Sequence, residues 1–197
     1  MEYTDKNGLA GLEKALVARF QGGDTTAFSG LADLYKDRLH QFILCLLGPD
    51  REAEDIAQEA FVQIYKSLPS FRGTSGFGTW AYAVTRNVCR RRLRERGRDA
   101  VLFTEERETA ADDVPQSGPT QELALESAET RALIRAEIAA LSPVHRSVIF
   151  LSCWERLSYA EMAEALEIPV GTVRSRLHNA LAALAARLKV LAEEEKI

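Results

Sequence analysis

Thr172, Arg174, Ser175, Arg176, His178 and Asn179 lie within one short stretch near the end of the chain. Their hydroxyl, guanidinium, imidazole and amide groups are the ones that bond phosphate oxygens and base edges. On a helix they would fill the first two turns, where a recognition helix meets the major groove. The residues before them have the pattern of a helix-turn-helix. Ser158 is a good N-cap, and Glu161 three residues on completes a capping box. Met162, Ala163 and Leu166 follow at helical spacing. Pro169 is expected to end that helix, Gly171 to let the chain bend, and Thr172 to cap the next helix. Val173, Leu177, Ala180, Leu181 and Leu184 would give the second helix its apolar stripe. From Val170 to Leu191 there are Arg174, Arg176, Arg187 and Lys189 and no acidic residue. The plainer reading is a helical hairpin with a solvated basic face.

A second basic element lies upstream. Arg86 to Arg98 holds seven arginines and a single acid, Glu95. Arg86, Arg90 and Arg94 recur at helical spacing. Phe71, Arg72, Phe77, Trp80 and Tyr82 precede them on or beside a Gly- and Ser-rich stretch. Cations that follow phosphates, with rings that stack on or wedge between bases, suit an opened single strand. In the plainer reading Trp80 and Tyr82 are core and the arginines are a solvated face. Mutual repulsion among so many like charges favours a polyanionic partner.

The elements that must carry these residues are helical. Leu9–Phe20 is amphipathic and stops at Gly22-Gly23. Asp24 should cap a longer helix with Phe28, Leu31, Leu34, Tyr35, Leu39, Phe42, Ile43 and Leu46 on one face, ended by Gly48-Pro49. Asp50 should cap a third, with Ala53, Ile56, Ala57, Ala60, Phe61 and Ile64 inward. Leu68–Gly78 is expected to be a loop, and Thr79 to open a fourth helix ending at Gly97. Asp99–Glu129 contains nine acids and one base, with Pro115, Gly118 and Pro119. That composition suits a tether better than a packed segment. A helix from about Thr120 to Ala140 follows. Ser142-Pro143 then opens another, with Val144, Val148, Ile149, Leu151 and Cys153 inward. No segment alternates with period two. The expected fold is all-α: small helical domains at 1–98 and 126–197, joined by a flexible acidic linker at 99–125, the second containing the helix-turn-helix.

Composition bounds the function. The 197 residues carry a net charge of −4, so nucleic acid would have to be bound by local patches. Cys45, Cys89 and Cys153 show no metal-ligand or disulfide spacing. No nucleophile–base pair, metal cluster or phosphate-binding glycine loop is legible, so neither catalysis, a cofactor, a metal nor a small-molecule substrate is expected. His40 and His145 read as structural, and His178 as a DNA-contact candidate. The polar start, MEYTDKNG, is no signal peptide, and Phe42–Leu47 is too short to cross a bilayer. A cytoplasmic protein with no direct membrane insertion is expected.

In combination these segments resemble the extracytoplasmic-function group of bacterial sigma factors, in the family's order and from about Leu16 to Leu191. DREAEDIAQEAFVQIYKSLPSFRG resembles the family's region 2.2, and FGTWAYAVTRNVCRRRLRERGR its regions 2.3 and 2.4. LSPVHRSVIFL with LSYAEMAEALEIPVGTVRSRLHNALAAL resembles region 4. The resemblance implies that Asp55, Gln58, Glu59, Phe61 and Tyr65 dock on core RNA polymerase. It implies that Ser70–Gly78 captures a flipped base, and that Phe71, Arg72, Phe77, Trp80, Arg86, Asn87, Arg90 and Arg94 serve the melted −10 element of promoter DNA. Thr172, Arg174, Ser175, Arg176, His178 and Asn179 would read the −35 element. An anti-sigma factor is the implied further partner. Four departures stand out: Arg91 where many members have an acid, Arg90 where an apolar residue is common, Gly76 and Gly78 in the specificity loop, and Glu167 at a turn position often held by glycine. Two other readings remain open: a helix-turn-helix regulator that binds duplex DNA without polymerase, and an adaptor whose basic faces bind acidic proteins.

Overall fold

The computed structural model describes residues 6–49, 51–95, 97 and 128–194. Asp50, Arg98 and the expected linker at 99–125 lie outside them. Every regular element among the described residues is helical.

Helix α1 (Lys6–Gln21) stops where Gly23 turns to a φ of 101°, a left-handed value that suits glycine. Asp24 organises the entry to α2 (Ala27–Leu47). Its Oδ1 accepts from the Thr26 amide at 3.1 Å and the Thr26 hydroxyl at 2.5 Å, so it ties the preceding turn and Thr26 takes the cap position. Gly48, at a φ of 77°, ends α2. Helix α3 (Ala53–Ser67) buries Ala53, Ile56, Ala60 and Ile64 of the stripe the sequence marks, and leaves Ala57 and Phe61 half-buried.

The stretch expected to be a loop is shorter than its composition implies. A 3-10 turn covers Leu68–Ser70, and α4 (Phe77–Glu95) begins two residues before Thr79. Gly78 is thus a helical residue, and close packing accounts for it. Buried Tyr35 passes over it and donates its hydroxyl to Glu13 Oε1 at 2.6 Å. A Cβ at Gly78 would overlap that hydroxyl and lie 3.2 Å from the ring carbon bearing it. Burial pushes the Glu13 carboxyl up, against the opposing pull of this hydrogen bond. Gly78→Ala is therefore expected to destabilise the protein by about 1–3 kcal/mol, as overpacking does, and urea unfolding would register it. An unchanged midpoint would mean that Tyr35 can move aside.

In the second half, α5 (Ala128–Ala139) leads into α6 (Pro143–Ile149). Ser142 caps α6, its hydroxyl accepting from the His145 amide, and Pro143 sits at the start as expected. The chain then opens into one wide π turn, Phe150–Trp154. Phe150 faces inward and Glu155 follows it into a buried position, whereas Cys153 is exposed, contrary to its expected inward face. Helix α7 (Tyr159–Leu166) has the expected capping box, complete in both directions.

The turn into α8 (Val170–Glu194) differs from expectation. The reversal is made at Glu167, which is left-handed at φ 51° and ψ 46°. Gly171 and Thr172 are already inside the first turn of α8, so Gly171 makes no bend and Thr172 no cap. Val173, Leu177 and Ala180 are buried, but Leu181 is exposed.

The apolar core continues from one half into the other. The Phe150 ring lies 6.0 Å from Phe42 of α2 and 6.3 Å from Tyr82 of α4. Arg38 of α2 reaches Glu155, its Nε 2.9 Å from Oε2 and 3.2 Å from Oε1, with a further Nη2–Oε2 contact. Arg146 of α6 donates from Nε to the Cys45 carbonyl at 2.9 Å, and from Nη1 to the Ala139 and Leu141 carbonyls.

Candidate nucleic-acid interface

Two helices carry the candidate nucleic-acid residues. On α8, Arg174 and His178 are exposed and Thr172, Arg176 and Asn179 half-buried. The Arg174 guanidinium lies 5.6 Å from the centre of the Tyr159 ring, so α7 helps to aim it. Ser175 is turned inward. Its hydroxyl donates to the Thr172 carbonyl at 3.1 Å, which satisfies it without any outside partner. It belongs to the packing of α8 and leaves the groove-facing set.

On α4 the candidates divide in the same way. Asn87 and Arg94 are exposed and Arg90 is half-buried. Phe77 is core, 5.1 Å from the Tyr35 ring, and cannot stack on a base. Tyr82 is wholly buried. Trp80 is half-buried and forms an aromatic group with Phe71, at 4.8 Å, and Phe77, at 5.8 Å. Gln21 steadies this edge, its amide donating to the Leu68 carbonyl at 3.1 Å and the Phe71 carbonyl at 2.8 Å. Arg72 is exposed beside it. The loop that remains between Phe71 and Gly76 thus carries an aromatic ledge tied to the end of α1.

The arginine run is partly neutralised from within the fold. Glu59 of α3 pairs with both Arg91 and Arg92, the latter at 2.7 Å from Nε. Burial raises the Glu59 carboxyl, but the hydrogen bond from Arg92 and the charge of Arg91 outweigh it and hold the group low. Arg91, a departure from the family pattern, therefore has an acid of its own, and Glu59 is committed on the side facing α4. Arg86 is buried, and its Nη1 donates to Glu167 Oε2 at 2.9 Å. Burial pulls the Arg86 pKa down and the Glu167 carboxylate opposes that shift. A polyanion is therefore not the sole partner these arginines have.

On α3, Asp55 and Gln58 are exposed and Phe61 is half-buried. Tyr65, 41% exposed, meets Phe28 edge-on at 5.0 Å and Phe20 at 5.2 Å. Val62, 48% exposed, extends this face and was not picked out by the sequence pattern. Among the described residues no group of three His, Cys, Asp or Glu side chains is placed to hold a metal ion. No described helix is long and apolar enough to cross a membrane. Burial pushes the Cys89 thiol up to about 12 and Cys45 to about 11, which leaves both unreactive at neutral pH.

Sigma-70 region 2 matches residues 31–99 and sigma-70 region 4 matches residues 131–184. The chain is 36% identical over 182 residues to the ECF RNA polymerase sigma factor SigW of Bacillus subtilis, covering 90% of this chain and 97% of that one. The chain belongs to the extracytoplasmic-function sigma factors. It is 34% identical to the RNA polymerase sigma-H factor of Pseudomonas aeruginosa, across 92% of this chain and 96% of that one. Among solved structures, the sigma factor RpoE of Bartonella quintana, in complex with the anti-sigma factor NepR, is 25% identical with a TM-score of 0.59 and covers 83% of this chain and 97% of its own. The fold also matches CnrH, in complex with the cytosolic domain of CnrY, with a TM-score of 0.62 at 23% identity, across 91% of this chain and 98% of that one. The protein is therefore an RNA polymerase sigma factor. Helices α2 to α4 form its region 2, and α5 to α8 carry its region 4.

Besides Val62, the residues that sequence reasoning missed are the ones joining these regions: Arg38, Arg146, Glu155 and Glu167. Only Glu167 carried a signal, an acid at a turn position that suits glycine.

Proposed function

We propose that this sigma factor grips a promoter at two points, α8 fixing its position and α4 holding the opened strand. The observation that carries the proposal is the pairing of two arginine-bearing helices, each aimed by its own packing. The Tyr159 ring, at the start of the capped helix α7, sets Arg174 for the groove, and Arg176 lies half-buried on α8. Thr172, His178 and Asn179 complete the −35 set. The ledge of Phe71, Arg72 and Trp80 offers a surface on which a flipped −10 base can stack, and Asn87, Arg86, Arg90 and Arg94 follow the strand's phosphates. Asp55, Gln58, Phe61 and Tyr65 on α3 meet core polymerase, with Glu59 shared between that contact and Arg91–Arg92. In residue terms we assign 1–98 to core and −10 binding, 99–125 to a linker, and 126–197 to −35 binding. The protein performs no chemistry of its own; binding energy positions the polymerase, which does the synthesis. It acts in the cytoplasm, and the complex of its relative RpoE with the anti-sigma factor NepR supports an anti-sigma factor as its regulator.

Transcription in vitro with purified core polymerase and a promoter library tests this. Promoter-dependent initiation that needs the added chain is the expected result. Tight symmetric operator binding without polymerase would replace the reading with a duplex regulator, and no salt-dependent DNA binding would replace it with an adaptor. Within the active system, Arg176→Ala is expected to weaken recognition of the preferred −35 sequence by about 1–3 kcal/mol, read by competition between promoters. An unchanged preference would remove Arg176 from the base-reading set.

A further inference from the structure

The link between Glu167 and α4 joins the two candidate DNA surfaces directly. One carboxylate oxygen accepts from Arg86 at 2.9 Å and the other from Asn87 at 2.8 Å. Both donors belong to the proposed −10 surface. A carboxylate and a phosphate present the same kind of paired oxygen acceptors to a guanidinium, so Glu167 occupies Arg86 as a strand phosphate would. The contact excludes the strand sterically as well, because α7 packs along α4.

The backbone at Glu167 sharpens the point. A φ of 51° with a ψ of 46° is the left-handed conformation, which glycine adopts freely and glutamate does not. A strained residue at such a turn is retained when its side chain does something that glycine cannot. Here it neutralises a guanidinium that is buried, with 8% side-chain exposure, and repelled by Arg90 and by Arg176 of α8. Removing Glu167 would take a carboxylate partner from a buried guanidinium that two other arginines repel. Arg38–Glu155 and Arg146–Cys45 then form the far side of the same closed interface.

We infer that Glu167 is an internal latch: it competes with the melted promoter strand for Arg86 and Asn87 and holds the free protein closed, with α7 packed along α4. The inference rests on Arg86 and Asn87 belonging to the −10 surface. Opening exchanges one anionic partner of Arg86 and Asn87 for another, so polymerase and the melted strand together release the two side chains that Glu167 holds. The pair is partly solvated, with 48% exposure on the glutamate side, so salt weakens the latch.

Glu167→Gly tests it cleanly, because glycine relieves the turn and a loss of closure cannot be blamed on a broken helix-turn-helix. Glu167→Gln keeps size and strain and removes only the charge. Two readouts are compared on the full chain: hydrogen exchange over residues 81–90 and 159–166, and binding of a fluorescent single-stranded oligonucleotide carrying the non-template −10 sequence of a promoter the protein uses in vitro. Both variants are expected to exchange faster in both segments and to bind the oligonucleotide roughly two- to fivefold more tightly at low salt, with no loss of thermal stability for the glycine variant. Arg86→Ala is expected to weaken oligonucleotide binding. If Arg86→Ala weakens binding while the Glu167 variants change neither readout, the latch is wrong and the −10 assignment stands. If Arg86→Ala leaves oligonucleotide binding unchanged, the −10 assignment of Arg86 is wrong and the latch falls with it.

Discussion

Arg38→Met is expected to separate the two halves of the protein while leaving each folded. The substitution removes the guanidinium and keeps an apolar stem. Glu155 would then be a carboxylate with 5% side-chain exposure and no cation beside it. Stranding a buried charge costs about 3–5 kcal/mol if the surroundings stay shut. The ring that crosses the interface, Phe150, contributes roughly 1.5–3 kcal/mol by burial, and the half-solvated Arg86–Glu167 pair adds at most about 1 kcal/mol. The stranded charge is of the same size as these contacts together, so opening, which returns Glu155 to water, becomes competitive with keeping it dry. Small-angle scattering should show a larger radius of gyration, and hydrogen exchange should rise over residues 143–154. A scattering curve identical to that of the unsubstituted protein would show that apolar packing alone holds the halves together.

Phe42→Ala should act on the fold itself. Phe42 is wholly buried, 5.1 Å from the Tyr82 ring and 6.0 Å from Phe150. Truncation leaves a cavity between α2, α4 and the wide turn after α6. Phenylalanine-to-alanine changes at such sites cost about 3–5 kcal/mol. Domains of this size have about 5–15 kcal/mol in total, so much of the margin would go. A urea titration followed by far-ultraviolet circular dichroism should show the midpoint fall, in contrast to Arg38→Met, which should spread the molecule with little loss of helix. A loss under about 1 kcal/mol would mean that Tyr82 and Phe150 collapse into the space. The two variants separate an interface held by charge from a core held by packing.

That division follows what could be read in advance. The capping box of Ser158 and Glu161, the stripe of α3 and the cap at Ser142 are set by neighbours within four residues, and the structure has them as the sequence implies. The order of region 2 and region 4 is likewise carried by motifs that are local in the chain. Local signals failed where two residues compete for one role. Gly171 and Pro169 looked like the makers of the helix-turn-helix bend, yet the left-handed residue is Glu167, an acid that propensity alone would not choose. Gly78 reads as a loop residue because nothing nearby in sequence shows the Tyr35 hydroxyl passing over it.

What the sequence by itself determined was the family, the helical class, and the arginine-bearing stretches of α4 and α8. Those depend on periodicity, capping and composition, which act over one or two turns. Tertiary structure alone decided which of those side chains face outward. It turned Phe77 and Ser175 inward, gave Glu59 to Arg91 and Arg92, and joined Arg38 to Glu155 and Arg86 to Glu167. With so many acids and bases in one chain, charge cannot select a partner until packing has brought two of them out of water together. In the two pairs with a buried member, Glu155 and Arg86, burial raises the cost of leaving that member alone and so makes the pairing specific.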